Sequence, residues 1–438
     1  MGCVSHVDDA ATPMTSASAG VSRAGARPTA GSRDAVPATL ARPLAGLGAR
    51  LAATSTVPAP VLAVDLDAFD ANASELLRRA AGRPLRLATK SVRVPFLIER
   101  GLAAGFTGLM TYHLAEALWW VERGVDDVLM GYPSVDRTAL DALVRDDRAR
   151  RAVTLMVDDL AHLELLVAAL DRAPASEVPV RVCLDIDASL RLGPVHLGVR
   201  RSPVRNPEDA VALVRHADPR IEVRGVMFYE AQVAGLPDTS PAVRVVKKAS
   251  LAELARRRGA VVAALEAELA RPLELVNGGG TGSIAATGQD PVVTEITSGS
   301  GLLSPTLFDG YRLRPGEQRL LPAAFIGLDV VRRPAPGIVT AFSGGYIASG
   351  PVGPARAPRP FLPEGLRLLG TEGAGEVQTP LRGAAARGLR IGDRVWLRHA
   401  KAGEVMERFA EVALVSGPEG AVVVDRAPTY RGHSLTFG

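Results

Sequence analysis

Leu85-Arg86-Leu87-Ala88-Thr89-Lys90 decides the fold. It is a short apolar-rich run that ends in a lysine and continues into Ser91, Val92 and Arg93. A lysine where a buried strand stops sits at the mouth of an α/β fold, where partial desolvation suits an amine for nucleophilic work. Upstream, Pro60-Val61-Leu62-Ala63-Val64-Asp65-Leu66-Asp67 reads as a strand, a turn and the capped start of a helix. Alone, a strand-end lysine is most often a surface residue, so the weight falls on the rest of the chain.

Short β-like runs recur from Leu85 onward: to Thr89, then Gly108 to Thr111, Asp127 to Met130, Val153 to Val157, Val180 to Asp185, Val223 to Phe228, Leu273 to Val276 and Thr294 to Thr297. Amphipathic helical patterns separate them, including Leu114 to Arg123, Asp158 to Leu170 and about Ala242 to Leu269. This alternation predicts βαβ units, and eight parallel strands close most economically into a (β/α)8 barrel, with a doubly wound sheet as the lesser alternative. After Tyr311 the texture changes to short strands broken by Pro and Gly: Gly337 to Phe342, Arg394 to Leu397, Ala410 to Val415 and Ala421 to Val424. The expected architecture is therefore α/β, with residues 56–310 as the barrel and 311–438 as an all-β domain. Residues 1–55, rich in Ala, Ser, Gly, Pro and Arg, are expected to form a disordered extension, loosely helical near Leu40 to Leu51. The proline-rich Gly350 to Leu362 segment reads as a long excursion and not a strand.

A second element adds chemistry. Leu275-Val276-Asn277-Gly278-Gly279-Gly280-Thr281-Gly282-Ser283 runs from a strand straight into glycines with hydroxyls. Such a loop brings backbone N–H groups close to a phosphate. It lacks the Gly-Lys-Ser/Thr ending of a nucleotide loop, and its place late in the barrel points to a monophosphate. Thr294-Glu295-Ile296-Thr297-Ser298-Gly299-Ser300-Gly301 comes next as a second Gly/Ser loop.

In their order, Thr89-Lys90, Gly279-Gly280-Thr281 and Thr294 to Ser300 resemble the pyridoxal-phosphate enzymes of the alanine racemase N-terminal type (fold-type III). D-Threonine aldolase and D-serine dehydratase are the nearest in pattern, over about residues 58 to 430. The resemblance implies pyridoxal 5'-phosphate on Lys90, its phosphate held by Gly279, Gly280, Thr281, Ser298, Gly299 and Ser300, and a homodimer. Cys183 to Gly193 is similar to the family's arginine segment one residue out of register, which makes Arg191 the candidate beside the cofactor, with Gly198-Val199-Arg200-Arg201 as a competing match. Gly225 to Gln232 resembles the tyrosine segment and makes Tyr229 a ring contact.

One departure is sharp. Relatives with a metal carry a His-x-Cys or His-x-Asp pair in the β-domain, whereas this chain has His399-Ala400-Lys401. An ammonium offers no lone pair while protonated, so a divalent metal is not expected unless Glu404 or Glu376 turns in. His399 is expected to act directly as acid or base, with Lys401 supplying the metal's charge. The expected activity is a lyase on small β-hydroxy amino acids, expected to be D-configured, by aldol cleavage or dehydration. The alternatives are an amino acid racemase, for which Tyr346 and Tyr430 are the available second bases, and a noncatalytic pyridoxal-phosphate binder.

Composition bounds the rest. The 438 residues are 47% hydrophobic and 22% charged, enough for a large core. The net charge of +4 arises from 51 basic and 47 acidic residues spread without long blocks, which gives no footprint for nucleic acid. Cys3 and Cys183 are the only cysteines, which excludes a disulfide framework and four-cysteine zinc sites and suits a reducing cytoplasm. No apolar run approaches the roughly 18 residues of a membrane span, and no membrane partner is expected.

Overall fold

The computed structural model describes residues 46–438 apart from Leu236, Thr239, Ala402 and residues 419–421. The expected extension up to residue 45 lies outside the described residues.

Eight strands close a parallel barrel. They are β2 (Leu85–Ala88), β3 (Leu109–Thr111), β4 (Val128–Met130), β5 (Val153–Val157), β6 (Val180–Asp185), β9 (Ile221–Phe228), β10 (Leu275–Gly278) and β11 (Glu295–Ser298). Closure is made by β11 on β2, with Ile296 opposite Leu85 and Ser298 opposite Leu87. A small hairpin, β7 (Leu190–Leu192) with β8 (Val195–Leu197), is inserted after β6. The barrel strands are buried almost throughout, as a sheet covered on both faces must be. Outward residues such as Leu87, Val128, Val153 and Val182 pack on the helices, while Met110, Leu129, Met156, Cys183, Met227 and Leu275 form a separate apolar cluster. Arg86 is buried among the strands and binds Glu295 at 2.7 and 2.8 Å, and Glu295 also accepts from Asn277 Nδ2 at 2.6 Å. Both charges of this buried pair are matched and hydrogen-bonded, which is what makes such a pair tolerable in a core.

The second sheet is mixed. Its main path runs β15 (Arg367–Leu368), β16 (Gln378–Arg382), β13 (Ile338–Phe342), β12 (Ala324–Ala335), β1 (Val61–Asp65), β18 (Glu411–Ser416) and β19 (Val423–Pro428). β17 (Arg394–Arg398) pairs with β12 and with β14 (Arg359–Leu362). Three expectations are corrected here. β1 is not barrel material: it lies antiparallel to β12 and parallel to β18, so the second domain recruits a strand from before the barrel. Residues 47–56 are not outside the fold: helix Leu47–Ala52 buries Leu47 and Leu51, and Arg50 Nη2 meets the buried Asp65 carboxylate at 2.7 Å. The end of the proline-rich excursion is the edge strand β14, where Pro costs little because one side of the backbone needs no donor.

Candidate active site

Where β2 ends, Thr89–Ser91 forms a 3-10 turn that swings Lys90 into a cavity of about 320 Å3 at the barrel mouth. The Lys90 ammonium hydrogen-bonds the Tyr132 hydroxyl. It also stands 5.1 and 5.9 Å from the ring centres of Tyr132 and Tyr229. Burial pushes the Tyr132 phenol up, but the charge and hydrogen bond of Lys90, with Arg201 behind them, outweigh it and leave the phenol below its ordinary range.

Across the mouth from Tyr132, the ends of β10 and β11 form a neutral cup. Thr281 Oγ1 and Ser298 Oγ lie 2.8 Å apart, Ser91 Oγ and Ser300 Oγ 3.0 Å apart, and Gly301 N donates to Thr281 Oγ1 at 3.0 Å. Gly279 holds φ +86°, and a Cβ there would stand 2.7 Å from Ile296 Cγ2. A Cβ on Gly280 would meet Ala234 Cβ at 2.8 Å, and one on Gly299 would meet Ala88 O at 2.6 Å. Only glycine lets the chain pass so close. The fully buried Glu230 fixes the turn from behind, accepting from Gly279 N at 3.1 Å and Ser283 Oγ at 3.0 Å. The Gly279 amide is therefore already engaged, and that glycine serves the turn rather than a ligand. Hydroxyls, glycine backbone and, among the described residues, no carboxylate in the lining suit a phosphate monoester.

The arginine is not the expected one. Arg191 lies on the hairpin, half exposed, and pairs with Asp187 at 2.7 Å. Arg201 lines the cavity instead, its guanidinium 5.8 and 5.6 Å from the Tyr132 and Tyr229 ring centres. Behind it, burial first and Asp158 second push the Asp185 carboxyl up to about 7, with Arg201 pulling the other way.

Lys401 and Arg356 line the cavity from the β-domain side, but His399 does not. The His399 ring is sealed in the core, 2% exposed, and neither nitrogen has a hydrogen-bond partner. Burial, then Arg398, drives its pKa down to about 3. The expected acid–base role at the substrate is corrected accordingly. None of the residues named as possible metal ligands lines the cavity: His399 is buried outside its lining, Glu404 is engaged with Ser349 at 2.5 and 2.7 Å, and Glu376 is exposed. No group of three or more His, Cys, Asp or Glu is placed to share an ion among the described residues.

Of the sequence candidates, the structure thus brings together Lys90, Tyr229, Gly279, Gly280, Thr281, Ser298, Gly299, Ser300 and Lys401. Sequence reasoning missed Tyr132, Glu230 and Arg356. Tyr132 carried a usable signal, since Gly131-Tyr132-Pro133 directly follows β4 as Lys90 follows β2.

A barrel with a strand-end lysine, a late glycine–hydroxyl cup and an attached β-domain defines the class. The chain belongs to the alanine racemase N-terminal domain family, whose model matches residues 64–302. It is 27% identical over 253 residues to 3-hydroxy-D-aspartate aldolase of Paracoccus denitrificans (strain Pd 1222). It is 26% identical over 248 residues to D-threonine aldolase of Arthrobacter sp. Each match covers 56% of this chain and spans 60% of the relative's length. Among solved structures, D-threonine aldolase from Filomicrobium marinum superposes with a TM-score of 0.72 at 25% identity, over 86% of this chain and 96% of that one. D-threo-3-hydroxyaspartate dehydratase from Delftia sp. HT23 shares the fold, with a TM-score of 0.66 at 20% identity over 86% and 98%.

Proposed function

We propose that the protein is a pyridoxal-phosphate-dependent lyase acting on small β-hydroxy amino acids of D configuration. One observation carries this reading: Lys90 and the glycine–hydroxyl cup face a single cavity. The names of the relatives, aldolases of D-threonine and 3-hydroxy-D-aspartate, support the substrate class. Lys90 would hold the cofactor through its amine, and the Gly280, Thr281, Ser298 and Ser300 cup would hold its phosphate. Arg201, flanked by the Tyr132 and Tyr229 rings, would contact the cofactor from the side of the cavity away from the cup. When bound, the cofactor supplies an electron sink for a bond broken at Cα.

The chain's own groups do the rest. Tyr132, hydrogen-bonded to Lys90 Nζ, is placed to exchange a proton with that nitrogen. Tyr229 walls the cavity, and Lys401 brings positive charge to the substrate side. Neither Tyr346 nor Tyr430 lines the cavity, and Tyr430 is buried against Glu116 at 2.7 Å, which favours a lyase over a racemase. The β-domain contributes Arg356 and Lys401 to the cavity, which favours an enzyme over a carrier of the cofactor.

No helix among the described residues is long and apolar enough to cross a membrane. The reading includes a cytoplasmic homodimer, supported by the unpaired, buried Cys183 thiol and by the family pattern. Light scattering should return about twice the 45.9 kDa chain mass.

The test is product analysis on purified protein with a panel of D- and L-amino acids. Consumption of D-β-hydroxy amino acids, releasing either glycine and an aldehyde or a keto acid and ammonia, is expected. Turnover confined to L-amino acids, or simple interconversion of enantiomers, overturns the reading.

A further inference from the structure

A second cavity, of about 350 Å3, lies on the other side of the glycine loop and plays no part in the proposed function. Thr281 and Phe308 line both cavities. The loop is the partition between them: a Cβ on Gly282 would run into the Tyr311 ring, whose hydroxyl donates to Ala234 O at 2.7 Å.

The carboxylates in the lining of this second cavity are already engaged. Asp309 accepts from Arg398 at 2.9 and 3.0 Å, Asp238 pairs with Lys247 at 2.9 Å and accepts from Arg312 N at 3.1 Å, and Glu317 accepts from Arg314 N at 3.1 Å. The cations outnumber them. Arg79 is held by Glu75 at 2.9 Å, but the side chains of Arg244, Lys248, Arg312 and Arg314 have no hydrogen bond or ion pair among the described residues. Arg244 and Lys248 stand one turn apart on helix Pro241–Leu269, a like-charge spacing that opposes the helix unless an anion joins the pair. Arg312 and Arg314 come from the segment after Tyr311, so positive charge reaches the cavity from two separate elements. Arg319, also in the lining, buries its Nε with no hydrogen-bond partner among the described residues. The rest of the wall is apolar, with Leu251, Leu320 and the Phe308 and Tyr311 rings, whose centres are 5.2 Å apart.

We propose that this cavity is a second anion site, separate from the cofactor cup, for a small organic phosphate carrying at least two negative charges. Guanidinium forks and an ammonium arriving from two elements match a group that offers oxygens in several directions, as a phosphate does and a planar carboxylate does not. The aromatic and aliphatic wall matches an organic body. The site stands independently of the pyridoxal-phosphate reading, because none of the four unpaired cations lines the first cavity.

The experiment is calorimetric titration of the full chain, loaded with pyridoxal phosphate and freed of excess, using ADP as the probe. About one ADP per chain should bind with the visible absorbance retained. Adenosine, which has the body without the charge, and pyrophosphate, which has the charge without the body, should each bind at least about tenfold more weakly. The double variant Arg244→Ala, Lys248→Ala should lose at least about tenfold in ADP affinity while turnover stays within about twofold, and Arg256→Ala, an exposed position on the same helix outside the lining, should lose less than twofold. No ADP binding at millimolar concentration, binding that expels the cofactor, citrate bound as tightly as ADP, or an equal loss in Arg256→Ala overturns the site. A chain that takes up no pyridoxal phosphate yet binds ADP in this pattern would sink the proposed function and leave this site standing.

Discussion

The cavity has two halves of different origin. The barrel half is set by strand ends: Lys90 after β2, Tyr132 after β4, Tyr229 after β9, the cup after β10 and β11. Each of these residues is delivered by a local event, a buried strand stopping at a turn. The β-domain half is set by where a sheet built from distant segments lays its loops, with Arg356 before β14 and Lys401 after β17. The first half holds the motifs that carry the family resemblance, and the second holds the departure from the metal-bearing pattern. The difference teaches that the barrel half of the cavity follows from local sequence, whereas the β-domain half depends on long-range register.

The comparison breaks first at Lys90. Lys90→Ala should lower turnover by about a thousandfold or more, because it removes the amine proposed to hold the cofactor. Borohydride treatment of the wild type should fix the cofactor to the peptide containing Lys90. A label on another lysine would move the site out of this cavity.

The two halves are also tied beneath the cavity, and the tie titrates. Tyr430 from the β-domain donates to Glu116 Oε1 at 2.7 Å, Trp120 Nε1 donates to Tyr430 at 2.9 Å, and Tyr112 N donates to Glu116 Oε2 at 3.0 Å. Burial pushes Glu116 from 4.5 up to about 7, against the approach of Thr89 and these hydrogen bonds. The folded state therefore binds this proton more tightly than the unfolded chain. Its contribution to stability is fully present below about pH 4.5 and lost as the pH rises through about 7, on the order of 3 kcal/mol. Melting temperatures at pH 5 and pH 8 should differ less in Glu116→Gln than in the wild type. An unchanged difference would move the effect to the other carboxyls that burial raises, Asp185 and Asp65.

Within the barrel half, Gly280→Val should weaken cofactor retention by about ten- to a hundredfold, roughly 1.4–2.8 kcal/mol, since the added carbons enter the cup beside Ala234 and Tyr229. Equilibrium dialysis against pyridoxal phosphate measures it. Retained affinity in a folded variant would acquit the loop.

In this half the sequence showed Lys90, Tyr229 and the cup but not Tyr132, Glu230 or the place of Arg201. The eight barrel strands declare themselves because each is a short buried run closed by a turn. β1 carried the same signal, five consecutive buried residues, and yet belongs to the other sheet; nothing within Val61 to Asp65 says which neighbours will bury it. Arg201 was obscured by the β7–β8 hairpin, which separates it from the end of β6. His399 and Lys401 look paired because residues two apart share a face of an extended chain. β17 ends at Arg398, however, and past that point the period no longer holds, so one side chain enters the core and the other the cavity.

The arginine correction sharpens the comparison by its contrast. Arg201→Leu should alter the visible spectrum and lower turnover by about tenfold, because a guanidinium flanked by two rings is lost from the cavity. Arg191→Ala should change turnover by less than about twofold, as Arg191 is half exposed outside the cavity lining and the buried Asp187 keeps Arg205 at 3.0 Å. The reverse ranking would restore the arginine one hairpin earlier.

The smallest effect is expected from chelation, and it bears on the β-domain half alone. A divalent cation needs lone pairs converging on one point, and Lys401 in its protonated form brings a charge of the wrong sign to the place where an acidic ligand would stand. His399 is walled off in the core, and Glu404 spends both oxygens on Ser349. Assembling a site would require His399 to leave its packing and Glu404 to release two hydrogen bonds, after which an ammonium would still face the ion. Exhaustive chelation followed by assay on the same D-β-hydroxy amino acids should therefore leave turnover within experimental scatter. Loss of activity that zinc or manganese restores would mean that the β-domain half rearranges around an ion, and that Lys401 yields its place to a carboxylate when it does.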